Sequence, residues 1–110
     1  MIVLVCGGRD YRNRQRVFDV LDSLRIDVVL QGGAAGTDML AADWAAWKEL
    51  PCIRHPARWK LYKNGAGPVR NAAMLDQWPV DLCVAFPGGT GTADMVNKAR
   101  TAGITVENVT

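Results

Sequence analysis

The chain has 110 residues, 49% of them hydrophobic and 22% charged, with a formal net charge of +2. These values are ordinary for one globular domain, residues 1–110, built on a single core. So slight a positive charge is too small to argue for nucleic acid, which usually announces itself by a much more basic domain, and nucleic acid is not an expected partner. The apolar start Met1 to Cys6 lacks a preceding basic stretch and is too short for a signal-peptide core. Nothing later approaches a membrane span, so the expectation is a cytoplasmic protein with no membrane partner. Cys6, Cys52 and Cys83 are odd in number, widely spaced and in or beside apolar segments. They form no metal-ligand or disulfide framework and read as buried reduced thiols; no metal and no cofactor is expected.

Ile2-Val3-Leu4-Val5-Cys6 is a continuous apolar run of the kind found in a strand buried on both faces. It ends in Gly7-Gly8-Arg9, and an arginine directly after glycines at a strand's carboxyl end is placed to hold a phosphate. Gly7, Gly8 and Arg9 are therefore candidate ligand contacts, a solvated loop being the alternative for Arg9 and for Arg12, Arg14 and Arg16. From about Asn13 to Arg25, Val17, Phe18, Val20, Leu21 and Leu24 recur at helical spacing and predict a helix with one apolar face. Val28-Val29-Leu30 forms a second strand within 27–31. It runs into Gly32-Gly33-Ala34-Ala35-Gly36-Thr37-Asp38, a glycine-rich turn opening a helix from Thr37 to Leu50. Gly32, Gly33, Gly36 and Thr37 are candidate ligand contacts there. Asp38 has two readings: a first-turn carboxylate that stabilises its helix by ~0.3–1 kcal/mol, or an acceptor for ribose hydroxyls. Met39 to Ala42, Trp44, Ala45, Ala46 and Trp47 make this helix apolar round nearly its whole circumference. A sheet covers one side only, so a second copy of the chain is expected on the other, in a homodimer or larger assembly.

Pro51-Cys52-Ile53-Arg54 is a short third strand, and 55–68 is the longest irregular stretch, of the sort that often carries function. The sole histidine, His55, reads as an ordinary hydrogen-bonding residue, with acid–base chemistry as the alternative. Trp59 and Tyr62 either stack on a base or plug the loop onto the core. Pro68 suits the first position of a helix and puts Arg70 and Asn71 in its first turn, in reach of a ligand at a neighbouring glycine turn. A fourth strand, within 81–86, leads into Pro87-Gly88-Gly89-Thr90-Gly91-Thr92 and a helix from about Thr92 to Ala102. Met95, Val96 and Ala99 point inward, and Gly103 caps the helix before a last strand at Ile104-Thr105-Val106. Glycines let this fourth turn approach a ligand closely, and the free amides and positive dipole end of the next helix favour an anion. Pro87 to Thr92 are thus the central ligand-binding candidates. The device occurs twice, because Gly32-Gly33 stands at the same offset from Asp38-Met39 as Gly88-Gly89 does from Asp94-Met95. Five strands alternating with helices predict an α/β, Rossmann-like open parallel sheet of order 3-2-1-4-5 with helices on both faces. That order sets the first and fourth turns side by side at the ligand-binding edge.

Pro87-Gly88-Gly89-Thr90-Gly91-Thr92 resembles the Pro-Gly-Gly-x-Gly-Thr signature of the SLOG superfamily. Its members include the LOG-type cytokinin-activating phosphoribohydrolases and the DNA-processing protein A family. With Gly7-Gly8-Arg9 and Tyr11, the turn from Gly32 to Asp38, and Ala66-Gly67-Pro68-Val69-Arg70-Asn71 with Met74, the chain is similar over essentially all its length to the small YspA-like (cpYpsA-related) SLOG proteins. That resemblance implies a nucleotide-derived ligand. Arg70 is similar to the arginine that, with a glutamate, cleaves the N-glycosidic bond of a nucleoside monophosphate in LOG enzymes. The glutamate's position holds Met95 here, and the basic residue expected after the arginine is Asn71. Asp94 lies one residue early, turned by ~100° on a helix. Cleavage needs a carboxylate near the anomeric carbon or an activated water, which Asp38 or Asp94 would have to supply. The candidate catalytic residues are Asp38, Arg70 and Asp94.

Three readings follow. Intact phosphate turns and the missing glutamate favour a module that binds a nucleotide or an ADP-ribose-like metabolite as a sensor. The alternative is a hydrolase of a nucleotide's glycosidic bond. The third, a nucleic-acid binder like the DNA-processing branch, is opposed by the near-neutral charge.

Overall fold

The computed structural model describes residues 1–110, with five strands: β1 (Ile2–Cys6), β2 (Val28–Gln31), β3 (Cys52–Arg54), β4 (Leu82–Ala85) and β5 (Thr105–Asn108). All pair in parallel in the order β3-β2-β1-β4-β5. Successive residues of a strand face opposite sides, so Val3, Val5, Val29 and Val84 join one core while Leu4, Leu30 and Cys83 join another. The first face is covered by α1 (Arg14–Asp22) and α2 (Thr37–Trp47), the second by α4 (Ala66–Gln77) and α5 (Thr90–Thr101). This is the expected Rossmann-like α/β sheet, and its central strands are buried on both sides as their unbroken apolar runs required. No helix is long and apolar enough to cross a membrane.

Several element ends differ from expectation. The Asn13 side chain accepts the Arg16 amide at 3.1 Å and caps α1, which stops at Asp22 rather than Arg25. The stretch 55–68 is not wholly irregular: it holds a short helix, α3 (Trp59–Tyr62), and a 3-10 turn at Lys63–Gly65. The next helix already begins at Ala66, so Pro68 is its third residue, a position whose missing N–H still removes no intrahelical bond. Helix α5 begins two residues earlier than expected, which makes Thr90, Gly91 and Thr92 its first turn. Gly103 has φ +77 just past the end of that helix, the left-handed conformation expected of a terminating glycine.

The apolar circumference of α2 is met largely within the chain. Trp44 is 2% exposed, packs in the same core as Val17 and Leu21 of α1, and donates its indole N–H to Asp22 at 2.9 Å. Helix α1 is therefore the second partner that the pattern demanded, and the burial of Trp44 needs no second copy. Trp47 stacks on Phe18 at 5.7 Å yet stays exposed, as does Met39. Of the thiols only Cys83 is fully buried. Cys6 is half-buried 4.0 Å from it, and Cys52, on the edge strand β3, is exposed instead of buried as expected.

Candidate functional site

Three turns meet where β1, β2 and β4 end. The Gly8 amide donates to the Pro87 carbonyl at 2.8 Å, and the amide and hydroxyl of Thr37 donate to the Gly8 carbonyl at 3.2 and 3.1 Å. Missing side chains make this approach possible. A Cβ on Gly7 would overlap the Thr37 side chain, and one on Gly88 would overlap the Thr92 hydroxyl and crowd the Gly8 amide. Gly36 has φ +74, and a Cβ there would run into the Gly8 and Arg9 carbonyls. Gly36, Thr37, Pro87 and Gly88, expected at the ligand, instead fasten the turns to one another and do not line the cavity they surround.

That cavity has a volume of about 640 Å3, within the range of small-molecule sites. Gly7, Gly8 and Arg9 line it from the end of β1, Gly32 and Asp38 from the second turn, and Arg70 and Asn71 from α4. Gly89, the N-cap of α5, lines it together with Thr90, Gly91, Thr92 and Asp94 of that helix. Trp59 stands at its rim, whereas Tyr62 and His55 do not reach it. Sequence reasoning missed Cys6 and Met95 on its floor and Asn64 and Ala34 on its walls; a strand-end cysteine followed by two glycines was the available signal for the first.

The two matched glycine turns differ in what their amides do. In α5 the first helical bond runs from the Ala93 amide to the Gly89 carbonyl at 3.1 Å, so the amides of Thr90, Gly91 and Thr92 precede it. A Cβ on Gly89 or Gly91 would meet nothing within 4 Å, which leaves this backbone open to the cavity. In the second turn the Gly33 amide is taken by the Gln31 side chain, the Ala34 amide by Asp38 at 3.1 Å and the Thr37 amide by Gly8. Equal spacing therefore made two similar turns, of which the second has three amides, those of Gly33, Ala34 and Thr37, already bonded within the chain. Gly33 faces away from the main cavity into a smaller one beside it.

The charged groups are linked. Arg70 donates from Nη1 to the Gly32 carbonyl at 2.7 Å and from Nε to the Asn71 side chain at 2.9 Å. Asn71 is 3% exposed and donates to Asp94 at 3.0 Å and to the Gly91 carbonyl at 3.3 Å. Lys98 reaches both carboxylate oxygens of Asp94, at 2.6 and 2.7 Å. Burial pushes the Asp94 carboxyl up, but the bonds from Lys98 and Asn71 outweigh it and hold the group below the usual carboxylate range. Asp38, 6% exposed, goes the other way: burial raises it, against the opposing pull of the Ala34 amide and of Arg70. Burial also lowers the pKa of Arg70, while the Asp38 charge works against that.

A carboxyl raised by folding makes the folded state less stable as pH climbs from the ordinary Asp value through the folded one, and it stays at that lower level above. Asparagine at position 38 keeps an oxygen for the Ala34 amide and removes the buried charge. Asp38→Asn is therefore expected to melt above the parent at pH 7, by ~4–8 °C for each kcal/mol that the buried charge costs in a domain of this size. The gap should close as pH falls toward 4. Thermal unfolding across that range checks it; a variant that melts no higher at pH 7 would mean that Arg70 fully offsets the burial.

The family model described as YspA, cpYpsA-related SLOG family matches residues 1–62, which include the first two turns, Arg9 and Asp38. The Gene 61 protein of Mycobacterium phage D29 is 36% identical over 119 aligned residues, covering 96% of this chain and 94% of that protein.

Proposed function

The chain belongs to the YspA, cpYpsA-related SLOG family, and we propose that it binds a nucleotide or an ADP-ribose-like nucleotide derivative, with recognition rather than turnover as its task. Family membership supports a nucleotide-related role. The observation that carries the reading is the start of α5, where three amides precede the first helical bond and two glycines leave the backbone bare toward the cavity. Such a helix start attracts phosphate through its N–H groups and its dipole. The ligand's phosphate sits on these amides, and its sugar comes within reach of Asp38 and Arg70. As a sensor, the chain would report ligand through the stability of this edge, since a ligand at 100 times its Kd adds ~2.7 kcal/mol.

A thermal-shift panel of nucleoside monophosphates, NAD and ADP-ribose, with product analysis on each hit, tests this. The expected result is stabilisation by a ligand that is recovered intact. Absence of any shift at millimolar ligand would overturn it.

One observation favours a second reading. Asp38 and Asp94 line one cavity while their surroundings push their protonation in opposite directions, the arrangement that assigns acid and base roles to two carboxylates. Hydrolysis of a nucleotide's N-glycosidic bond is the corresponding activity. Free base in the supernatant, lost in Asp38→Asn, would select it.

A further inference from the structure

We infer that the ligand carries a second anionic group, a phosphoryl group remote from the first, and that Arg9, Arg54 and Arg70 hold it in a cavity of its own; this rests on the nucleotide reading above for the first group. A cavity of about 360 Å3 adjoins the main one and shares Arg9, Trp59 and Arg70 with it. Its remaining wall is Arg54, the backbone of the second glycine turn and the Pro56-Ala57 segment. Three arginines line it and no carboxylate does. None of the three belongs to the four ion pairs of the chain, Met1–Asp27, Arg14–Asp43, Lys48–Asp22 and Lys98–Asp94, although Arg70 already gives Nη1 and Nε to the Gly32 carbonyl and the Asn71 side chain.

The arginines are positioned as well as gathered. Gly33 has φ +75, and a Cβ on it would overlap Arg54 Nε and lie 3.0 Å from Arg54 Cγ, so the Arg54 side chain is laid across the turn. Glycine is required there both by its backbone conformation and by the arginine above it. The Arg9 guanidinium lies 5.2 Å from the centre of the Trp59 ring, which holds it at the boundary of the two cavities. Arg9 and Arg70 repel one another, Asp38 in the main cavity offsets part of that charge, and a phosphoryl group relieves the rest while matching the guanidinium fork. The Gly33, Ala34 and Thr37 amides of the second turn are already bonded within the chain, and the attraction at this end comes from the arginine side chains. One ligand spans both cavities, its first phosphate on α5 and its second group beyond Arg9 and Trp59. The ligand class is a nucleoside with phosphoryl groups at two separate positions.

Arg54 lines only the smaller cavity and is exposed, so its truncation leaves the fold intact. Calorimetry on the parent and Arg54→Ala would use the 5′-monophosphates and 3′,5′-bisphosphates of adenosine and guanosine, ADP-ribose, and inorganic phosphate. In the parent, a two-group ligand is expected to bind at least ~10-fold tighter than the monophosphate. Arg54→Ala should erase that gain and leave monophosphate affinity unchanged, and Arg54→Lys should recover part of it. ADP-ribose, whose two phosphoryl groups are adjacent, is the comparison: the bisphosphate is expected to bind tighter, and ADP-ribose binding tighter would overturn the remote second group. Two-group ligands that bind no tighter than monophosphate, or an Arg54→Ala loss equal for both, would overturn the inference while the nucleotide reading stands. Phosphate binding that depends on Arg54 in a chain that binds no nucleotide would keep the subsite and discard the nucleotide reading. No binding of either would discard both.

Discussion

A Gly89→Val variant is expected to fold like the parent and to lose nucleotide binding. The position is exposed, a Cβ there meets no atom within 4 Å, and the residue precedes α5 as its N-cap, so valine displaces nothing of the protein. Its branched side chain instead occupies the space in front of the Thr90, Gly91 and Thr92 amides. Each charge-assisted hydrogen bond from an amide to phosphate is worth ~1.5–3 kcal/mol, so losing two of them weakens binding by roughly a hundredfold or more. Gly36→Ala is the control with the opposite outcome. At φ +74 a side chain costs ~1–3 kcal/mol in backbone strain alone, and here the Cβ also meets the Gly8 and Arg9 carbonyls. That variant should melt at least ~10 °C lower. Circular dichroism melts and calorimetry separate the two effects; parent-like affinity in a folded Gly89→Val variant would remove the α5 start as the phosphate site.

What was legible in the sequence follows from which interactions are local. The order of the strands was readable because parallel crossovers are right-handed and the central strands β1, β2 and β4 carried unbroken apolar runs. The α5 turn was readable because strand, glycines and helix start are contiguous in the chain. Its near-copy at Gly32 was misread as a second such site because the difference is tertiary. Gln31, Asp38 and Gly8 take three of its amides, those of Gly33, Ala34 and Thr37, and nothing in the spacing of Gly32-Gly33 and Asp38 reveals that. The same cause hid the role of Gly88 and Thr37, which is set by the approach of β4 and α2 to the end of β1. Trp44 was assigned to an interface because α2 was considered against a sheet alone, when α1 lies beside it on the same face. Asn71 was placed in the site by its helix position. Its service as the link between Arg70 and Asp94 needed the side-chain geometry.

Arg70→Ala is expected to weaken nucleotide binding at least ~10-fold and to destabilise the fold in a pH-dependent way. A surface arginine paired with Asp76 would change stability by within ~0.5 kcal/mol and leave binding alone. Arg70 makes no such pair; it turns inward, bonds the Gly32 carbonyl and the Asn71 side chain, and lines both cavities. Its loss acts directly, by removing a guanidinium from the ligand, and indirectly, by freeing Asn71, which steadies Asp94 and the Gly91 carbonyl in the first turn of α5. It also strips Asp38 of a cation that favours its ionised form, so the Asp38 carboxyl rises further in the variant. The folded variant then takes up a proton more readily than the folded parent does, and its stability deficit grows as pH rises through the carboxylate range. The deficit at pH 7 should therefore exceed that at pH 4. Lysine keeps the charge near Asp38 but not the planar fork, so Arg70→Lys should restore most of the pH-7 stability and only part of the affinity. Calorimetry and urea unfolding at both pH values test each half. A deficit equal at pH 4 and pH 7, with ligand bound as tightly as by the parent, would return Arg70 to the surface and leave Asp38 buried without a functional partner.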